Sequence, residues 1–251
     1  MTLSDMTLQD RVLPYRPDAA GTHPPLASPA YKSTGLRAPR LAAVPLAQTL
    51  TETTGPRIAA DRVGPRDGDL TRQHAAEPQG QRIIVHGRVL DDAGRPVRHT
   101  LVEVWQANAA GRYAHEVDQH PAPLDPNFMG AGRCITDADG AYRFVTIKPG
   151  AYPWKNHPNA WRPAHIHFSL LGEAFAQRLV TQMYFPDDPL FSQDPIFNAV
   201  TDARARQRLV SRFDLEASVP EWALAFAFDI VLRGRDETPR DGGHGKGGPK
   251  P

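Results

Sequence analysis

The chain has 251 residues, 25 of them proline, with 29 lysines and arginines against 28 aspartates and glutamates and a single cysteine. A proline share about twice the usual one excludes a fold of long helices, because each interior proline removes a hydrogen bond and clashes with the preceding turn. A net charge of +1 gives no bulk attraction to nucleic acid or to an anionic membrane. One cysteine excludes a disulfide framework or a multi-cysteine metal site and suits a reducing, cytoplasmic compartment.

Residues 1–10 carry acids and no apolar core, so no signal peptide is expected. Residues 1–80 read as an irregular arm, interrupted by prolines from position 14 to position 78, in which no apolar period survives ten residues. The arm keeps Tyr15, Leu26, Tyr31, Leu36, Leu41 and Leu46, more apolar anchors than a solvated linker needs. It therefore reads as a segment ordered by wrapping a partner, with a structureless leader as the plainer alternative. At residue 82 the texture changes. Residues 82–90 (RIIVHGRVL) predict a strand, closed by a turn at 91–94 (DDAG). Further strands are expected at 100–105 (TLVEVW), at 141–147 (AYRFVTI) after a turn at 137–140, at 164–171 (AHIHFSLL), at 179–185 (LVTQMYF) and at 225–232 (AFAFDIVL). A helical patch is expected at about 202–212, and residues 236–251, rich in Gly, Pro and Lys, read as a disordered tail. The longest apolar run, 222–232, is interrupted by Asp229 and is too short to span a bilayer. Many short strands joined by Gly, Pro and Asp turns predict an all-β, mixed-topology sandwich over residues 81–235.

The strongest chemical signal is His165-Ile166-His167. Strand side chains alternate, so both imidazoles share one face and Ala164, Ile166 and Phe168 share the other. Two histidines on a wet strand face would look the same, but Trp161, Arg162 and Pro163 immediately before them suggest a pocket wall. A metal needs further ligands, and downstream of His167 the only histidine is His244 in the expected tail. A cupin-like site could use Glu173 but lacks a later strand histidine, and Cys134 lies in the wrong context for blue copper. A ferrous site of two histidines and one carboxylate stays open, with Glu103 or Asp187 as the acid. So does a ferric site using loop tyrosines, Tyr113 and Tyr152, because two anionic phenolates beside two imidazoles favour Fe(III) over Fe(II) by charge.

The segments at 101–108 (LVEVWQAN), 111–113 (GRY), 123–128 (PLDPNF), 148–154 (KPGAYPW) and 161–167 (WRPAHIH) resemble the intradiol ring-cleavage dioxygenases. The arm joins in with 30–34 (AYKST) and 51–56 (TETTGP), so that the resemblance covers all but the tail. It implies a transthyretin-like sandwich and one non-haem Fe(III) per chain, held by Tyr113, Tyr152, His165, His167 and a hydroxide. Within that set it makes Tyr152 the axial phenolate released on substrate binding, Tyr113 the retained one, His165 equatorial and His167 axial. It places Arg162 and Gln182 beside the reacting ring, and Tyr31, Trp105, Trp154 and Ile196 in the substrate pocket. With all four ligand positions filled, it implies the iron-bearing β-type subunit of a hetero-oligomer of αβ units, whose partner is a distinct α-type subunit. The implied reaction opens 3,4-dihydroxybenzoate (protocatechuate) with O2 to 3-carboxy-cis,cis-muconate, a step of aromatic catabolism by the β-ketoadipate route. Catechol and hydroxyquinol relatives carry a helical N-terminal dimerisation region that a proline-rich arm cannot form. Two alternatives remain: the same chemistry on another dihydroxybenzoate or catechol, and a metal-free transthyretin-like binding module.

Overall fold

Strand β1 (Arg82–Leu90) is the axle of the fold in the computed structural model, which describes residues 19–41, 44, 63–171 and 178–241. It pairs antiparallel with β4 (Ala141–Ile147) and parallel with both β10 (Ala223–Ala227) and β11 (Ile230–Val231). Strand β9 (Arg212–Val219) extends this sheet beyond β10. The second sheet runs β3 (Ala131–Ile135), β2 (Leu101–Gln106), β7 (His165–Leu171), β8 (Arg178–Tyr184), antiparallel throughout. Strands β5 (Tyr152–Trp154) and β6 (Ala160–Arg162) form a separate two-stranded ribbon. Parallel pairs inside an otherwise antiparallel fold give the expected mixed topology.

Alternation decides which faces meet. Val85, Phe144 and Phe226 of the first sheet pack in one core with Val104, Ile166, Phe168 and Met183 of the second. Each such side chain contributes about 1.5–3 kcal/mol by leaving water. The core is tied at one end by Phe168, whose ring lies 5.9 Å from Phe144 and 5.3 Å from Phe228.

Four differences from the sequence reading have local causes. The helical patch is only α3 (Ala203–Gln207), following the similarly short α2 (Pro195–Ala199); Asp202 caps α3 by accepting from Arg204 N at 2.8 Å. It stops because Ser211 bonds the Tyr184 carbonyl through both its N–H and its hydroxyl, which turns the chain into β9. The single strand expected at 225–232 is two, split where Asp229 turns aside to accept from Arg88 N at 2.8 Å. The boundary placed at residue 80 is too late, since Leu70 lies in the main core and its N–H bonds Val145 O at 2.9 Å. The tail placed from residue 236 starts too early. Thr238 is buried and exchanges two hydrogen bonds with Val231, and Asp241 N donates to Val180 O at 2.7 Å. In the arm, residues 19–41 hold one helical turn, α1 (Thr34–Arg37). Tyr15, Leu46, the 51–56 motif and residues 242–251 lie outside the described residues. Among the described residues no helix is long and apolar enough to cross a membrane.

Cys134, on β3, is half-buried, and burial pushes its thiol up to about 12, against a smaller opposing effect of its backbone hydrogen bond with Arg143. Only the thiolate attacks a disulfide reagent, and its rarity outweighs its greater nucleophilicity. Reaction of the native protein with an aromatic disulfide at pH 8 should run on the order of tens-fold slower than that of the urea-unfolded chain. Equal rates would show the thiol to be accessible and ordinary.

Candidate metal centre

The face of the second sheet that turns away from the core carries the chemistry. On β7, Ile166, Phe168 and Leu170 enter the core, which leaves His165, His167 and Ser169 on the other side. The register sets His167 between Trp105 on β2 and Gln182 on β8, and His165 beside Tyr184. The Trp105 ring stacks flat on the His167 ring, with 4.9 Å between centroids and 1° between planes. His165 Nδ1 lies 2.6 Å from Pro163 O. A carbonyl only accepts, so Nδ1 carries the proton and Nε2 presents its lone pair, 3.2 Å from Tyr152 Oη.

Two peripheral segments bring the phenols in. The β5–β6 ribbon pairs Tyr152 directly with Arg162. Tyr113 rides the loop after β2, which lies against the residues leading into β5 through two glycines. A Cβ on Gly111 (φ +79°) would sit 2.2 Å from Ala151 O, and one on Gly150 would sit 2.4 Å from Ala109 O. Asn108 Oδ1 accepts from Ala110 N and Arg112 N, and Asp118 Oδ2 accepts from Tyr113 N at 2.8 Å, which holds the loop. The Tyr113 and Tyr152 hydroxyls end 3.5 Å apart. Ring centroids are 5.5 Å apart for Tyr152–His165, 4.9 Å for His165–His167 and 6.4 Å for Tyr113–His167.

Tyr113, Tyr152 and His165 are each shifted towards the uncharged form. Burial, then the neighbouring Tyr152, pushes the Tyr113 phenol well above its ordinary value. Burial also raises Tyr152, while the Arg162 charge and the hydrogen bond with Tyr113 pull the other way. Burial first, and Arg162 and His167 after it, hold His165 well below its usual range and keep it neutral. Neutral imidazole nitrogen and phenol oxygens that a cation would turn into phenolates form a donor set suited to a hard trivalent metal.

Arg162 is buried and tied on several sides. Its Nε donates to Asp194 Oδ2 at 3.1 Å, and its Nη2 donates to Gln182 Oε1 and, at 3.1 Å, to Tyr184 Oη. Tyr31 donates its hydroxyl to Pro195 O at 3.0 Å and sets its ring edge-on to Trp154, whose indole lies 5.9 Å from the Arg162 guanidinium. Ile196 is buried in the first turn of α2, where its N–H donates to the capping Asp194. Tyr31, Trp154 and Ile196 thus gather on the Arg162 side, and Trp105 backs His167. Of the open alternatives, Glu103 and Asp187 are exposed to solvent, Cys134 packs against the core, and Glu173 and His244 lie outside the described residues. Among the described residues no three or more of His, Cys, Asp and Glu are grouped to hold a metal.

Asp194, Tyr184 and Asp241 belong to this neighbourhood although the sequence did not mark them. Asp241 Oδ2 lies 3.5 Å from His167 Nδ1. The one available signal was the Asp-Pro pair at 194–195, a helix-start signature that places a carboxylate at a cap.

A family model described as Dioxygenase matches residues 53–234, and one described as Protocatechuate 3,4-dioxygenase beta subunit N terminal matches residues 15–49. The protocatechuate 3,4-dioxygenase beta chain of Burkholderia cepacia is 60% identical over 222 residues, covering 88% of this chain and 94% of that one. The alpha chains of the protocatechuate 3,4-dioxygenases of Pseudomonas putida and Burkholderia cepacia are 30% and 29% identical. Each spans 77% of this chain, with 95% and 96% of their own lengths covered.

Proposed function

This chain belongs to the intradiol ring-cleavage dioxygenases, and from that premise we propose that it is the ferric, ring-opening subunit of a two-subunit enzyme. Its reaction is cleavage of protocatechuate by O2 to 3-carboxy-cis,cis-muconate, a cytoplasmic step of aromatic catabolism. The observation that carries the reading is the complete tyrosine and histidine set gathered at one point in a chain 60% identical to a protocatechuate 3,4-dioxygenase beta chain.

Tyr113, Tyr152, His165 and His167 would hold one non-haem Fe(III). When bound, such an ion supplies a Lewis-acidic centre that chelates the vicinal oxygens of the substrate and makes its ring electron-rich towards O2. The remaining work falls to the chain. Tyr152, carried on a strand of only three residues, is placed to take up a substrate proton at Oη as its phenolate. Tyr113, anchored through its backbone to Asp118, stays. The Arg162 guanidinium, already oriented, stabilises negative charge as it grows on the ring. Gln182 has its carboxamide oxygen occupied by Arg162, while its buried Nε2 has no hydrogen-bond partner among the described residues and offers a donor to a ligand oxygen. Tyr31, Trp105, Trp154 and Ile196 wall the ring and keep water out. Leu26, Leu36 and Leu41 of the arm stand exposed, Leu36 at 94%, and an α-type subunit of an αβ hetero-oligomer would cover them.

Co-expression with an α-type chain, followed by oxygen uptake over a panel of catechols, tests the reading. One O2 consumed per protocatechuate, with the ring-opened tricarboxylic product and slower turnover of catechol, is expected. No uptake, or faster turnover of catechol, would remove the substrate assignment. Deleting residues 1–60 should lower solubility of the chain or activity of the complex. A truncated chain as soluble and active as the full one would show that the arm has no role at the partner.

A further inference from the structure

One buried carboxylate stands where two parts of the site meet. Asp194 is 0% exposed, and both its oxygens are committed. Oδ2 accepts from Arg162 Nε at 3.1 Å and lies 2.9 Å from Tyr184 Oη, while Oδ1 accepts from Ile196 N at 2.9 Å and so caps α2. Its backbone carbonyl accepts from Asn198 Nδ2 at 2.9 Å, which fixes the cap from the other side. Tyr184 Oη has a single proton to give, between the Asp194 carboxylate and Gln182 Oε1 at 3.0 Å, and the charged acceptor makes the stronger bond. The same hydroxyl accepts from Arg162 Nη2. The planar guanidinium is therefore set at Nε and at Nη2, which defines its plane.

We propose that Asp194 is a positioning residue of the ring-opening reaction, its one carboxylate holding the Arg162 guanidinium and the Ile196 end of α2 in a common register. The inference rests on the reading above, in which Arg162 stabilises charge on the ring and Ile196 walls the pocket. A carboxylate serving both ties the aim of the cation to the position of the wall, so that a substrate seated against one is met correctly by the other.

A double-mutant cycle in the αβ holoenzyme tests this, with kcat, KM for protocatechuate, iron content and visible absorption measured for each protein. Asp194→Ser keeps an oxygen to cap Ile196 N but gives Arg162 no charged partner. It should lower kcat on the order of 10²-fold with iron and colour retained. In an Arg162→Ser background the same change should cost less than about threefold more, because the group it positions is already gone. Losses that multiply would overturn the inference, leaving Asp194 an independent structural residue. Asp194→Ala, which forfeits the cap as well, should raise KM roughly threefold beyond the serine variant; equal KM values would remove the α2 half of the inference. If Arg162→Ser alone leaves kcat within threefold, the role given to Arg162 fails and this inference falls with it, an outcome separate from multiplying losses. Should the serine variant not fold, Asp194→Asn, of the same size, takes its place in the cycle, and failure of both to fold and hold iron also overturns the proposal.

Discussion

Replacing His165 by alanine is expected to abolish both the colour and the turnover of the assembled enzyme. The imidazole is buried, held neutral, and oriented by donation from Nδ1 to Pro163 O, so that Nε2 is a lone pair aimed at the point where Tyr152 also arrives. Loss of a residue that merely orients a ligand commonly costs 10–100-fold in metal affinity or activity, so loss of a ligand itself should exceed about 10². Phenolate-to-iron charge transfer would colour the wild-type protein, because the two phenols stand 3.5 Å apart beside the histidine pair. Elemental analysis for iron and a visible spectrum of His165→Ala and Tyr113→Phe check this directly. A His165→Ala enzyme with stoichiometric iron and unchanged absorption would exclude His165 as a ligand, and a colourless wild-type holoprotein with full iron would exclude both tyrosines.

Arg162→Ser should retain near-normal iron and lose turnover by on the order of 10²–10³-fold, the usual effect of removing one preorganised donor. Guanidinium has no free lone pair and cannot be a ligand, so iron content separates its role from that of the histidines. The variant carries a second cost. Arg162 and Asp194 are both out of solvent, and removing one member of a buried pair commonly destabilises by about 3–5 kcal/mol. The donors that remain to Asp194 at Ile196 N and Tyr184 Oη offset part of that. Turnover should therefore be measured well below the midpoint of thermal unfolding, with folded protein verified. Arg162→Lys keeps the charge without the planar fork and should fall between wild type and serine. Loss of iron in Arg162→Ser, or turnover within a few-fold of wild type, would show that Arg162 serves the fold and not the reaction.

The period of two in a strand was enough to place His165 and His167 on one face, and the apolar residues between and beyond them on the other, before any partner strand was known. Strands β1, β4, β7 and β8 were legible for the same reason, since each carries a long β-branched or aromatic run bounded by turn residues. Strands β3, β5, β6 and β9 were not. Three of them are five residues or fewer and include a glycine, a proline or an alanine, and β9 lies at a sheet edge with its apolar residues exposed. Pairing with a neighbour, not intrinsic propensity, makes them strands. The site divides along the same line. Local alternation fixes the histidines, but the approach of Tyr113 depends on Gly111 and Gly150 letting one backbone lie against another. The juxtaposition of Tyr152 with Arg162 depends on the register of a three-residue ribbon. Asp194, thirty-two residues beyond Arg162 in the chain, reaches it only because β6 and the start of α2 are packed together. A local pattern constrains the direction of a side chain along its own element, whereas a contact between elements is set by loop closure and packing, which no spacing in the chain records.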